Sequence, residues 1–440
     1  MADGDLAAGD LAGRDLAGRD LADETAIRAE LIERFFRYLA VASQSDARAT
    51  TLPSTPGQRA LAELLAGELR DLGLSDVVLD ERAILTARKA GTRPGAPPIG
   101  FVAHLDTVDV GLSPEIHPQV LRFDGQDLCL NRDQDIWLRV AEHPEIAPYA
   151  GEDVIVGDGT SVLGADNKAA IAVVMTLLAT LTSDDPHGDI WVAFVPDEEI
   201  GLRGAKALDL ARLPCDFAYT IDACALGEVV IETFNAAGAE IVFTGVSAHP
   251  MSAKGVMVNP LLMAHDFIGR FDRAETPENT DGREGYIWFN GLQAHSGEAR
   301  LQAMIRDFDK ARFAARKARL HAVTAEIAAL YPTGRVECRI TDTYGNIHDS
   351  LGDDRRSVDL LFAALAEEGI TPRQIPMRGG TDGAALSARG LPTPNYFTGA
   401  HNFHSRFEFL PVPAFAASWR VTRRICLSAA EQVTVESRSA

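Results

Sequence analysis

The feature that most constrains the fold is an alternation of short apolar runs with segments of helical period. Apolar spacing and β-type runs predict these elements in order: helix 60–72, strand 99–108, helix 167–181, strand 190–195 and strand 217–221. Strands that alternate with helices are typical of a parallel sheet covered on both faces. Because the alternation resumes after about Gly345, we predict an α/β fold with a doubly wound, mostly parallel sheet.

A different order of elements interrupts this alternation after Asp222. The pattern there predicts strand 239–244, helix 259–271, strands 285–290 and 301–308, helix 310–330 and strand 336–343. This β-α-β-β-α-β order is that of a compact split unit. We therefore expect an inserted domain at 234–345 and a main domain formed by 24–233 and 346–440.

The N-terminus carries a repeat of five residues, in which Asp-Leu-Ala recurs between residues 4 and 23. A period of five matches neither a helix nor a strand, so we expect 1–23 to be a disordered tail without a catalytic role. A helix should begin near Glu24.

Charge and cysteine content exclude several classes of protein. A net charge of −21 argues against nucleic acid or an anionic membrane as a partner, since both require a basic surface. The five cysteines are scattered without metal-type or disulfide-type spacing, which favours a reducing cytoplasm. The N-terminal region lacks the apolar core of a signal peptide, and the apolar stretch at 169–181 is too short to span a bilayer.

Acidic residues stand where predicted strands end or a predicted helix begins. They are Asp106, Asp166, the adjacent Glu198 and Glu199, and Asp222. Each one alone has an ordinary structural explanation; Asp166, for example, could be a helix N-cap. In open α/β sheets, however, sites form beyond the carboxyl ends of the strands, so we expect these side chains to converge.

Histidines accompany these acids. His104 lies two residues before Asp106 in a predicted strand, so the two side chains point to the same side, and a carboxylate there would fix the imidazole tautomer. Near the C-terminus, the residues leave open whether His401 or His404 joins them. Two metal ions about 3.5–4 Å apart require such a mixture of carboxylates and imidazoles, so the sequence predicts a two-metal site.

Four motifs together resemble the M20 metallopeptidases, and within them most closely the tripeptide aminopeptidases. They are His104-Leu105-Asp106-Thr107, Gly164-Ala165-Asp166-Asn167-Lys168, Pro196-Asp197-Glu198-Glu199-Ile200-Gly201 and Gly379-Gly380-Thr381-Asp382-Gly383. The resemblance runs in order through about residues 25–430. It implies a zinc-binding catalytic domain, a lid formed by the inserted domain, and hydrolysis of the N-terminal bond of tripeptides.

The resemblance also implies two Zn²⁺ ions. The implied ligands are His104, Asp166, Glu199, Asp222 and His404. Asp166 would bridge the ions, Glu198 would be the general base and Asp106 would orient His104. His404 is selected over His401 because it precedes Glu408-Phe409, as the late histidine of the family does.

Four residues of the inserted domain and its surroundings are candidates for binding substrate. His249 resembles the family's lid histidine, which donates to the oxyanion. Arg306 and Arg378 could hold a peptide carboxylate because the guanidinium fork suits that group, although Arg306 could equally pair with a neighbouring aspartate. Asn259 is a further candidate donor.

Three positions depart from the family pattern. Asn167 stands where the family usually has Asp, Met251-Ser252 where it has Gly-Thr, and Ala223-Cys224-Ala225 where it has small glycines. The last two would change the size of the substrate pocket.

Two other functions remain open. One is another M20 hydrolase, namely an N-acyl amino acid deacylase, a dipeptidase or a carboxypeptidase, with the same metals and base. The other is a non-catalytic homologue that binds peptides, which loss of Glu198 or of a ligand would signal; neither is lost. We expect a short peptide as the substrate, and a homodimer formed through the inserted domain is left open.

Overall fold

The computed structural model describes residues 21–439, with side chains from 24 to 431. Its helices and strands up to residue 230 are α1 (Leu21–Leu39), α2 (Pro56–Asp71), β1 (Ser75–Leu79), β2 (Leu85–Lys89), β3 (Ile99–His104), β4 (Gln119–Arg122), β5 (Leu128–Asn131), β6 (Ile136–Leu138), β7 (Asp153–Val156), α3 (Ala165–Thr180), β8 (Ile190–Val195), α4 (Arg203–Ala207), β9 (Phe217–Ala223) and β10 (Glu228–Val230). The predicted tail lies outside the described residues except for 21–23, which belong to α1, so this helix begins before the expected Glu24.

The later elements continue in chain order. They are β11 (Asn235–Thr244), α5 (Pro260–Ile268), β12 (Tyr286–Ala294), β13 (Glu298–Asp307), α6 (Lys310–Leu330), β14 (Arg335–Tyr344), α7 (Ile347–Leu351), α8 (Arg356–Glu367), β15 (Arg373–Gln374), α9 (Asp382–Ser387), β16 (Asn395–Phe397), β17 (Phe409–Pro411) and α10 (Val412–Ser439).

These elements form two compact units. The first contains the described residues up to Val229, Arg355–Gln374 and those from Leu391 onward, and the second contains Val230–Asp354 and Ile375–Gly390. The second unit thus includes the predicted insertion, 234–345, and extends beyond it. Its additional segment, 375–390, is tied to it by a bridge between Thr233 and Met377.

The first unit is built on an eight-stranded sheet of order β1-β2-β8-β3-β9-β16-β10-β15. The pairs β3/β8, β3/β9 and β9/β16 are parallel, whereas β1 and β2 join antiparallel at one edge. α3 is buried almost all round, between the sheet and the helices α1 and α10, which explains why its sequence is apolar on every face. The predicted α/β fold with a mostly parallel sheet is confirmed.

A smaller part of the first unit was not predicted. It consists of a three-stranded sheet, β17-β7-β4, and the hairpin β5-β6, which enclose a separate apolar core that includes Phe123, Tyr149 and Phe409. Its strands have only three or four residues, too few for alternation to reveal them.

The second unit has the predicted β-α-β-β-α-β order. Its antiparallel sheet has the order β12-β13-β11-β14. Burial alternates along β13, and the buried side chains pack with Phe267 of α5 and Leu320 of α6, so both helices cover one face of the sheet. Among the described residues, no helix has the length and apolar character needed to span a membrane.

Candidate metal centre

The candidate centre lies at the carboxyl edge of the parallel strands in the first unit. β3 ends at His104, the turn after β8 carries Glu198 and Glu199, and Asp222 is near the end of β9. Because β8, β3 and β9 are neighbouring parallel strands, their carboxyl ends meet at one edge of the sheet. Asp166 adds a carboxylate from the first turn of α3.

Asp166 stands between two histidines. Its Oδ1 is 2.9 Å from Nε2 of His104, and its Oδ2 is 3.0 Å from Nε2 of His404. Asp222 Oδ1 lies 3.8 Å from the same nitrogen of His104, and Glu199 Oε1 lies 3.0 Å from that of His404. The five predicted ligands therefore form two groups that share Asp166.

The donor atoms of this cluster fit a metal ion. One ligand atom each from His104, Asp166 and Glu199 lie within 4.8 Å of one another. Glu199 Oε1 is buried and makes no hydrogen bond within the described part of the chain, although His404 Nε2 is 3.0 Å away. A buried carboxylate oxygen without a donor is costly, and a cation placed between these atoms would satisfy it.

The pKa shifts within the cluster also favour a bound cation. Burial and the nearby Asp166 raise the pKa of Glu199 to about 7 and that of Asp222 to about 6. The neighbouring carboxylates of Asp166 and Glu199 raise the pKa of His404 to about 11, and those of Asp106, Asp166 and Asp222 overcome the effect of burial and raise the pKa of His104. The buried carboxylates thus compete for positive charge, which bound metal cations would supply.

Asp106 holds the turn that carries the two glutamates. Its Oδ1 and Oδ2 accept hydrogen bonds from the amides of Glu198 and Glu199, at 3.0 and 3.2 Å. Nδ1 of His104 is 3.0 Å from the backbone carbonyl oxygen of Asp106 and 3.5 Å from its carboxylate. The expected contact of Asp106 with His104 is thus made chiefly through the main chain, and the contact with the Glu198-Glu199 turn was not foreseen.

Asn167 supports Asp222. Its Nδ2 donates to the carbonyl oxygen of Ile221, at 2.8 Å, and to Asp222 Oδ1, at 2.9 Å. The amide of Asp222 in turn donates to Asn395 Oδ1, at 2.7 Å. The departure from the family pattern at Asn167 therefore places an amide donor against a candidate ligand.

Glu408 is a site residue whose role the sequence did not reveal. Its carboxylate is buried and accepts hydrogen bonds from the amides of Gly164, at 2.8 Å, and Asp166, at 3.1 Å. Burial and the charge of Asp166 raise the pKa of Glu408 to about 8. The only signal in the sequence was the Glu408-Phe409 pair that served to select His404.

His401 lies apart from the donor cluster. Its Nε2 is 2.9 Å from Tyr149 Oη, and its ring stacks on Phe409 with centroids 4.8 Å apart. Burial lowers the pKa of His401 to about 4. His404, three residues later, adopts a left-handed backbone with φ 63° and turns its ring towards Asp166 and Glu199.

The remaining candidates belong to the second unit. His249 is exposed and its Nδ1 accepts from the amide of Met251, at 3.2 Å, so the proton of a neutral ring lies on Nε2. Asn259 uses its Oδ1 to cap α5, accepting from the amide of Leu261 at 3.0 Å.

The two candidate arginines, which lie in the second unit, are held by local contacts. Arg306 donates to the carbonyl oxygens of Ala237 and Ile305, and its guanidinium lies 5.5 Å from the centre of the Tyr344 ring. Arg378 donates to the carbonyl oxygens of Gly282 and Glu284 and to Thr280 Oγ1. Among the described residues Arg306 forms no ion pair with Asp307 or Asp309, which was the alternative for this arginine. Asp307 pairs with Arg312 and Arg316, and Asp309 accepts from the backbone amide of Arg312.

Comparison with known proteins identifies the family. Residues 133–428 match the model of "Peptidase family M20/M25/M40". A peptidase T-like protein of Rhizobium meliloti (strain 1021) is 66% identical over 406 residues, which is 92% of this chain and 100% of that protein. A protein named peptidase T of Geobacillus sp. (strain WCH70) is 42% identical over 390 residues, 88% of this chain and 95% of that protein.

A solved structure shares the fold. The crystal structure of aminopeptidase PepT from Bacillus cereus ATCC 10987 superposes with a TM-score of 0.72 at 23% identity, covering 92% of this chain and 99% of that one. The match to the family model spans more than half of the chain and includes four of the five predicted ligands, and the relatives are similar along almost their whole length. The M20 resemblance seen in the motifs is thus confirmed: the chain belongs to peptidase family M20/M25/M40 and is a hydrolase.

Proposed function

We propose that the protein is a two-zinc aminopeptidase that hydrolyses the N-terminal peptide bond of tripeptides. The observation that carries the proposal is the position of Asp166, whose two carboxylate oxygens face two different imidazoles, each with a further carboxylate beside it. A shared carboxylate between two such groups is the arrangement that two-metal hydrolytic sites use.

Each zinc ion would have its own set of donors. His104 and Asp222 would hold one ion, His404 and Glu199 the other, and Asp166 would serve both. When bound, the zinc ions supply Lewis acidity that favours deprotonation of water near neutral pH and polarises a peptide carbonyl.

Glu198 is the residue that we assign to proton transfer. It is buried, at 8% exposure, and Asp106 holds its backbone amide in the turn that also carries the candidate ligand Glu199. In the proposed reaction Glu198 takes the proton of the attacking water and delivers it to the leaving amine.

His249 is the proposed donor to the oxyanion. Because its Nδ1 accepts the amide of Met251, the neutral ring carries its proton on Nε2, the atom that faces away from its own turn. A donor aimed at the developing negative charge lowers the barrier of acyl transfer.

The choice of substrate rests on the relatives. The Geobacillus protein is named peptidase T and the Bacillus cereus structure is described as an aminopeptidase. We extend both properties to this chain and propose a short peptide with a free N-terminus as the substrate. We also propose a cytoplasmic location, because all five cysteines are free thiols.

A hydrolysis panel tests the proposal. Purified protein loaded with zinc is incubated with a dipeptide, a tripeptide, a tetrapeptide and an N-acetylated tripeptide of related sequence, and the released N-terminal residue is quantified. We expect the free tripeptide to be cleaved fastest and a chelator to abolish cleavage until zinc is restored.

Two outcomes would contradict it. Equal cleavage of the acetylated peptide would indicate a deacylase or a carboxypeptidase rather than an aminopeptidase. No cleavage of any peptide by protein with two bound zinc ions would favour a non-catalytic peptide-binding protein.

A further inference from the structure

Asp197 is the acidic residue of the Glu198-Glu199 turn that the proposed reaction does not use. It is completely buried, and its backbone has φ 58°, a left-handed conformation that residues other than glycine rarely adopt. A buried charge in an unfavourable backbone conformation, directly before the proposed base, requires surroundings that hold it there.

Ser54 and Gln58 provide those surroundings. Asp197 Oδ1 accepts from Ser54 Oγ at 2.5 Å and from Gln58 Nε2 at 2.7 Å, and Oδ2 accepts from the amide of Ser54 at 2.8 Å. Arg203 Nη1 lies 3.4 Å from Oδ2 and offsets the charge. The carboxylate of Asp197 is thus directed towards the start of α2 and not towards the metal cluster.

Gln58 forms two hydrogen bonds with Asp197. While its Nε2 donates to the carboxylate, its Oε1 accepts from the backbone amide of Asp197 at 2.9 Å. The side chain of Gln58 is completely buried near the start of α2, a rigid support 139 residues away in sequence.

Two side chains therefore hold three consecutive amides of the turn. Gln58 holds the amide of Asp197, and the two oxygens of Asp106 hold the amides of Glu198 and Glu199. Since adjacent residues of one turn must direct their carboxylates differently, a small rotation of this backbone would displace both the ligand and the base.

We propose that Gln58 is a positioning residue, which acts through Asp197 to direct the carboxylates of Glu198 and Glu199. Gln58 touches neither substrate nor metal in this assignment, which rests on the proposed function for what the two glutamates do. Its role depends on the pairing of a donor and an acceptor with Asp197, so an exchange of these groups can test it.

The test compares Gln58→Glu, Asp197→Asn and the double variant. In Gln58→Glu a second carboxylate faces Asp197 in place of the Nε2 donor. In Asp197→Asn the new side-chain amide group faces a donor in either orientation: its Nδ2 opposes Gln58 Nε2 if it takes the place of Oδ1, or the backbone N–H of Ser54 and the guanidinium of Arg203 if it takes the place of Oδ2. In the double variant, the carboxylate introduced at position 58 can accept from both the backbone amide and the side-chain amide of residue 197.

The measurements are kcat and KM for the peptide that the native protein cleaves best, and the rate at which a chelator removes zinc from the loaded protein. We expect each single variant to lower kcat by about 10–100-fold with KM changed less than about threefold, and to release zinc about tenfold faster. The double variant should recover kcat and zinc release to within about threefold of the native values.

Gln119→Ala is the matched control. Gln119 also donates through Nε2 to backbone carbonyl oxygens in the first unit, those of Leu130 and Gly157, and is far in sequence from the turn. Gln119→Ala should lower the melting temperature, and it should leave both kcat/KM and the rate of zinc release unchanged.

Native kcat and zinc release in Gln58→Glu, or a double variant as impaired as the worse single one, would overturn the proposal. Should the single variants fail to fold, Ser54→Ala removes the hydrogen bonds of Ser54 Oγ with Asp197 and with Gln58 and keeps the two bonds between Gln58 and Asp197. This variant should lower kcat about threefold, and an unchanged kcat would count against the proposal. Zinc release can be measured without a substrate. If the native protein bound zinc but cleaved no peptide, the proposed function would be refuted, and the rates of zinc release from the variants would still test the role of Gln58.

Discussion

The backbone amide of Asp166 donates a hydrogen bond to Glu408 Oε1 at 3.1 Å. Glu408 lies four residues after His404, so the segment that supplies one candidate ligand also fixes the main chain of another. The second oxygen of Glu408 accepts from the amide of Gly164 at 2.8 Å, which places a buried carboxylate at the start of α3.

Replacement of Glu408 should affect both stability and metal binding. Glu408→Ala leaves the amides of Gly164 and Asp166 buried without acceptors, which should lower the free energy of unfolding of the zinc-free protein by about 2–5 kcal/mol. Denaturant unfolding and zinc titration measure the two effects. Glu408→Gln keeps one acceptor and should lose less; equal stability of the alanine variant and the native protein would show that the two amides find other partners.

Replacement of Glu198 should separate catalysis from metal binding. Because Glu198 is assigned to proton transfer and not to a metal ion, Glu198→Gln should keep two zinc ions per chain and lower kcat by roughly 10²–10⁴-fold. Elemental analysis gives the zinc content and a tripeptide assay gives kcat. A variant with the native kcat would exclude Glu198 as the base, and loss of zinc would indicate that it is a ligand.

Replacement of Asp166 should weaken the binding of more zinc ions than replacement of Asp222. Asp166 faces both histidines of the cluster, whereas Asp222 lies beside only one of them, His104. Asp166→Asn should therefore weaken binding of both zinc ions, by more than the roughly 10–100-fold that outer-shell changes cause, while Asp222→Asn should weaken one. Zinc titration of the apo-protein counts the sites; loss of a single site in Asp166→Asn would disprove the shared position.

Sequence periodicity was informative wherever an element is long or one of its faces is buried. The predicted strand 190–195 and helix 310–330 coincide with β8 and α6; the first is an uninterrupted apolar run, and the second begins after Asp309, which caps it by accepting from the amide of Arg312. The strands β4 to β7 were missed because three or four residues are too few to display a period.

The candidate ligands could be found from sequence because strand ends of a parallel sheet converge on one edge. The supporting contacts could not be found in this way. Gln58 and Asp197 are 139 residues apart, and Glu408 and Asp166 are 242 apart; no local pattern encodes such a pair, since each partner is an ordinary polar residue in its own segment. Asp106 shows the same limit, because its spacing from His104 gave no indication of its bonds to the Glu198-Glu199 turn.

His401 should make the fold sensitive to acid. Burial lowers its pKa to about 4 in the folded protein, whereas an unfolded histidine titrates near 6.5. As pH falls below about 6.5 the unfolded state therefore binds more protons than the folded state, and stability decreases until about pH 4. The glutamine of His401→Gln does not titrate and can still form a hydrogen bond with Tyr149. Between about pH 7 and pH 5 the free energy of unfolding of the native protein should therefore decrease by roughly 2 kcal/mol more than that of this variant.

Denaturant unfolding of zinc-free protein at both pH values measures the difference, and Gln119→Ala, which keeps His401, should retain the native pH dependence. An equal loss in the native protein and His401→Gln would mean that His401 is already protonated in the folded state at pH 5.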